Sequence, residues 1–251
     1  MARGSPRTSF DSSRLIRALS DLVSTDAAPP RQSFADRLGQ WLDFADAIAL
    51  FSALNGSTDA AGGPATAEHP ALRDEFARVR GALLDSINTD GVLTPGKARI
   101  RLPAPAWHAS TPGAADYLPY HRYYLAHQRD MGAAIAPLRA SLRAELARQS
   151  PALRQLATLD GVLDQAFAPR ERSLLASVPQ LLGRRFEQLH QAHRSALPAG
   201  AADDPARWLQ PGAWLHTFCQ DMRLVLLAEL DLRLQPVQGL MDALNEVKKP
   251  Q

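Results

Sequence analysis

The segment Asp116–Arg129, DYLPYHRYYLAHQR, holds all four tyrosines of the chain and two of its seven histidines. Phenols and imidazoles at Tyr117, Tyr120, His121, Tyr123, Tyr124 and His127 could bind a metal, stack on a nucleobase, or pack one helix against another. A metal held by one helix needs histidines at i,i+3 or i,i+4 with a carboxylate nearby. His121 and His127 stand six residues apart and point in different directions. A helical wheel sets Tyr120, Tyr124 and His127 on one apolar stripe and leaves His121 and Tyr123 on its flanks, which is the pattern of a packed helix.

A sharper metal pattern is Glu187-Gln-Leu-His190-Gln-Ala-His193, because a Glu-x-x-His pair projects two ligands from one helix face, as di-iron bundles require. Such sites need a second pair, and Glu145, Glu171 and Glu229 each lack a histidine three residues later. His193 also falls on a hydrophobic seam. Cys219, with His216 and Asp221 nearby, has the residue types of a nucleophile, base and orienter, but it lies between Phe218 and Met222 on an apolar face. Reactive thiols need an accessible, electropositive setting, so Cys219 reads as a small core side chain. No Gly-rich phosphate loop, Gly-x-Ser-x-Gly elbow or zinc-finger spacing occurs. The residues therefore point away from an enzyme, and no cofactor is expected. A metal-dependent helical-bundle enzyme using Glu187, His190 and His193 is the first alternative.

The elements that must position these residues are helical throughout. Leu15, Ile16, Leu19, Leu22 and Val23 recur at helical spacing after Ser12-Ser13, in a helix that ends before Pro29-Pro30. A second helix is expected from Ser33, with Asp36 as a weak capping box, to Asn55-Gly56. Phe34, Leu38, Trp41, Leu42, Phe44, Ile48, Leu50, Phe51 and Leu54 make it apolar over more than half its circumference. Such a helix is covered on more than one side, by its neighbours or by another chain. Trp41, Phe44 and Phe51 are its interface candidates, because large aromatics dominate protein contacts.

Residues 56–68 read as a flexible loop. Pro70 opens a third helix with Leu72, Phe76, Val79, Leu83 and Ile87 on one face. Pro95, Pro103, Pro105 and Pro112 make residues 89–113 a second flexible connection, either a domain boundary or an arm. Beyond it, Tyr120, Tyr124, His127, Met131, Ile135, Leu138, Leu142 and Leu146 form one long stripe that Pro137 should bend without ending. Ser150-Pro151 caps a further helix that Pro169 should kink or break. Leu174, Val178, Leu182, Phe186, Leu189 and His193 resume the seam. Asp204-Pro205 caps a turn carrying Trp208, and the last helix includes Leu230–Leu234, with Glu229 and Arg233 paired at i,i+4, before Pro236 interrupts it. The expectation is an all-α fold, an antiparallel helical bundle of long amphipathic, partly coiled-coil-like helices with Pro-rich connecting loops. Residues 1–113 form an N-terminal helical region and 114–251 a C-terminal long-helix bundle, or the two make one continuous domain.

At 251 residues, with 45% hydrophobic and 22% charged residues, the chain has globular composition. Net charge is +2, too small to imply a nucleic-acid or membrane partner. Residues 121–194 are locally basic, with eleven Arg against six acids, which keeps polyanion or nucleic-acid binding as the second alternative. A single cysteine excludes an internal disulfide, and neither a signal peptide nor a membrane span is visible, so a cytoplasmic location without direct membrane insertion is expected.

Thr8–Leu15, Gln32–Asp43, Phe218–Met222 and Leu227–Pro236, together with Tyr124–Gln128 and Ser150–Leu153, resemble a domain-of-unknown-function family from Gram-negative bacteria over nearly the whole chain. Members of that family tend to be encoded beside stator-like proton-channel proteins and OmpA-like envelope proteins. The resemblance implies an accessory of an envelope motor or transport assembly and transfers no active-site residue. Scaffold or adaptor is thus the favoured function, with a protein partner or a homo-oligomer, a location peripheral to the inner membrane through that partner, and nucleic acid disfavoured.

Overall fold

The structure is a computed structural model, and it describes residues 14–23, 41–56, 69–105, 115–198 and 203–246. Among these, seven α-helices and one 3₁₀ turn account for the regular structure and no strand occurs, so the fold is all-α. The helices are α1 Arg14–Val23, α2 Phe44–Asn55, α3 Pro70–Asn88, α4 Leu118–Gln149, α5 Pro151–Leu175, α6 Val178–Ala196 and α7 Trp214–Glu246. The 3₁₀ turn Pro205–Arg207 is capped by Asp204, whose side chain accepts from the Ala206 N–H.

The second helix is shorter than its apolar run suggests. Ser33 and Asp36 lie outside the described residues. Trp41 is helical, but the chain leaves the helix at Leu42 and Asp43 and re-enters at Phe44. Asp43 is an extended N-cap whose carboxylate accepts from the Asp46 N–H at 2.7 Å, while Asp46 accepts from the Asp43 N–H at 3.2 Å. A reciprocal capping box satisfies two orphan donors of a helix start, and this local bond set ends the hydrophobic continuity. Prolines act the other way. Pro137, Pro169 and Pro236 all sit inside continuous helices, so Pro236 does not interrupt its helix as expected and, of the kink or break expected at Pro169, no break occurs. An interior proline costs about 3 kcal/mol, which the packed flanks of a long helix can offset. The break comes instead at Ala176-Ser177, where the Ala176 N–H donates to Arg172 O and the Ser177 hydroxyl to Leu174 O.

The chain forms two compact units, each drawing on segments from both sides of residue 113. Unit 1 comprises residues 1–27, 84–128 and 179–232. In it α6 runs antiparallel to α7: Phe186 meets Phe218 at 5.1 Å between ring centroids, and His190 meets Trp214 at 5.0 Å. Here α4 runs alongside α7 in the same direction, since Tyr120 reaches Phe218 and Tyr124 reaches Glu229 further along both helices. The expectation of an antiparallel bundle therefore fails for this pair. The 89–105 connection is tied down by Asp90, which is buried and accepts from the N–H groups of Val92, Leu93 and Thr94 at 2.7, 2.7 and 3.0 Å. The Leu102 N–H returns to Asp90 O at 2.9 Å, and Leu102 is buried. Gly91, at φ 75°, makes the turn possible.

Unit 2 comprises residues 28–83, 129–178 and 233–251. The Ser150 side chain caps α5 by accepting from the Leu153 N–H, as its place before Pro151 predicts. Arg139 and Arg143 on α4 meet Asp160 and Asp164 on α5 in four ion pairs of 2.7–3.1 Å, all half-buried or better. Met131, Leu138, Leu142 and Leu146 are 0–1% exposed, one continuous inward stripe on α4.

Leu142 in unit 2 and Leu182 in unit 1 are fully buried. Leu142→Ala and Leu182→Ala are each expected to lower unfolding free energy by about 2–5 kcal/mol in denaturant titrations. A loss below about 1 kcal/mol at both positions would overturn the assignment of these stripes as core.

Candidate functional site

The tyrosines belong to the interior. Tyr120, Tyr123 and Tyr124 are buried, and Tyr117 is half-buried with its hydroxyl donating to Pro179 O. Tyr117 and Tyr120 join Phe186 and Phe218 in a cluster with centroid separations of 5.1–6.1 Å, mostly tilted or edge-on, as ring quadrupoles prefer. Gly183 makes room for it: a Cβ there would stand 3.0 Å from the Tyr117 ring. Tyr123, placed on a flank by the helical wheel, is buried edge-on against His127 at 4.6 Å, because α4 is covered on more than one side in unit 1.

What the sequence reading missed is a carboxylate inside this core. Glu229 is fully buried; Tyr124 Oη donates to it at 2.7 Å and Gln128 Nε2 reaches both of its oxygens at 3.0 Å. The signal was present as polar residues, Tyr124 and Gln128, four apart on α4, but nothing local names their partner 101–105 residues away. His127, next to Gln128 in the chain, is 1% exposed, and among the described residues its Nε2 has no hydrogen-bond partner. Burial, with Arg99 adding in the same sense, lowers the His127 pKa to about 4. Cys219 is buried, and burial followed by the charge of Asp90 raises its pKa far above that of a reactive thiol.

The Glu187, His190 and His193 pattern does not converge. Glu187 is exposed, His190 packs among Phe186, Trp208 and Trp214, and His193 Nε2 lies 2.9 Å from Asp203 Oδ1, which also accepts from Trp208 Nε1 at 2.7 Å. Among the described residues no three His, Cys, Asp or Glu side chains come together as a metal site. Four of the eleven arginines of the basic stretch, Arg139, Arg143, Arg148 and Arg185, have carboxylate partners within the fold.

The surface that stands out is α2. Its inward side, Asp46, Leu50 and Ala53 at i, i+4 and i+7, is half-buried or buried. Its outward side carries Phe44, Ile48, Phe51 and Leu54 at 82, 53, 69 and 54% exposure. These are four of the eight exposed large hydrophobic residues among those described, concentrated on one helix of 12 residues. The helix is held from behind by α5, to which it runs antiparallel. Trp41 packs edge-on against Phe167 at 6.4 Å with the Arg170 guanidinium 5.7 Å above its ring, and Gln155 Nε2 donates to the carbonyls of Ala53 and Leu54. Of the three interface candidates, Phe44 and Phe51 face solvent, whereas Trp41 is half-buried as an anchor to unit 2.

Fold and surface together define an all-α protein that presents one apolar helix face to solvent. The chain belongs to the family described as protein of unknown function (DUF3348), whose model matches residues 1–246. No curated protein and no solved structure matches the chain. Among the described residues no helix is long and apolar enough to cross a membrane.

Two outcomes test the buried polar centre. Tyr124→Phe removes a donor from a fully buried carboxylate and is expected to cost about 1–3 kcal/mol by chemical denaturation, clearly more than Tyr120→Phe. His127 binds a proton less readily folded than unfolded, so between its usual pKa of 6.5 and about 4 the unfolded state holds more protons and stability falls as pH falls. The loss is complete near pH 4 and amounts to roughly 3 kcal/mol at most. His190, also lowered by burial, acts in the same direction. In unfolding measured across pH 4–7, His127→Leu should flatten this slope relative to the unsubstituted protein, and an unchanged slope would remove His127 from the account.

Proposed function

We propose that the protein is a scaffold or adaptor that works by protein–protein docking through the outward face of α2. The observation that carries this reading is the concentration of exposed Phe44, Ile48 and Phe51 on a short helix whose other side is already anchored. A core helix would bury such residues. Contiguous apolar surface rimmed by polar groups marks interaction sites on otherwise well-packed proteins. Asp43, Asn55 and Ser52 provide that rim.

The assembly served is the finer part of the proposal. Resemblance to the Gram-negative family with stator-like and OmpA-like neighbours supports an accessory of an envelope motor or transport complex. In that setting the protein acts from the cytoplasmic side and meets the inner membrane only through a protein partner.

The test uses Phe44→Asp and Phe51→Asp in the full chain. Both side chains are mostly exposed, so each substitution is expected to change unfolding free energy by no more than about 0.5 kcal/mol. The unsubstituted protein, captured from native cells with and without membrane solubilisation, should retain envelope components that both variants lose. Unfolding of the variants would return α2 to the core, and unchanged capture by folded variants would refute docking at this face.

A further inference from the structure

We draw no further inference here: the strongest candidate, the groove between α1, α6 and α7 lined by Arg14, Arg17, Arg185, Asp221, Leu224 and Val225, has two of its three arginines paired with acids, Arg14 with Asp231 and Arg185 with Asp221, and nothing in the structure shows what would occupy it.

Discussion

A carboxylate with no solvent contact must be met by donors, and in unit 1 that requirement sets how α4 and α7 can lie together. Glu229 projects into the interior, and its two oxygens accept from Tyr124 and Gln128, one helical turn apart. Sliding α4 by one turn would take both donors away from the carboxylate, at a cost on the order of 1–3 kcal/mol for each. With that register held, Tyr120 and Tyr117 arrive against Phe218 and Phe186, and Tyr117 fits because Gly183 presents no side chain. The phenols are therefore not a site that happens to be covered. They are the apolar bodies of residues whose polar tips serve buried acceptors, Glu229 for Tyr124 and Pro179 O for Tyr117.

Unit 2 uses a different device. Arg139, Arg143, Asp160 and Asp164 face each other across α4 and α5, near a turn of one residue, Ser150, between the helices. Desolvation by burial works against the charged Arg139, yet the hydrogen bond to Asp160 and the nearby acids outweigh it and leave its pKa raised. Gly161 lies in this seam, with the Arg143 stem 4.0 Å from where its Cβ would be. Leu153 and Ala157 are buried on the same helix, so the ion pairs flank an apolar seam and do not replace one.

Helical periodicity made most of this fold legible. The stripes from Met131 to Leu146 and from Val178 to Phe186 are buried where the wheel places them, and Leu230–Leu234 is helical despite its alternating pattern. The errors share a cause. Pro169 and Pro236 look like stops, but a missing N–H is a local loss and the helices are held by contacts from distant segments. Asp43 looks like an interior residue of a helix running from Ser33, but a capping box is local and strong enough to begin a new helix within an apolar run. Leu174 reads as seam and is 56% exposed, because the break at Ala176-Ser177 takes it out of phase with Val178. The burial of Glu229 was illegible for the opposite reason: its partners on α4 are far away in sequence, and an acid four residues before Arg233 reads as half of a helix-surface pair.

The α2 helix shows why apolar content alone could not separate interface from core. The same stretch divides between buried and exposed side chains. Trp41 is spent inward on Phe167 and Arg170, and Ala53 is buried, while Phe44, Ile48 and Phe51 point away. What divides them is the pair of polar devices at the helix ends. Asp43 starts the helix and so fixes its phase, and Gln155 holds the carbonyls of its last turn, satisfying orphan acceptors without covering the outer face. A helix retained at both ends through backbone groups and caps does not need to bury its large side chains to stay in place. Its apolar surface is thereby left available for association, and the same reasoning explains why disabling the outer face need not unfold the protein that carries it.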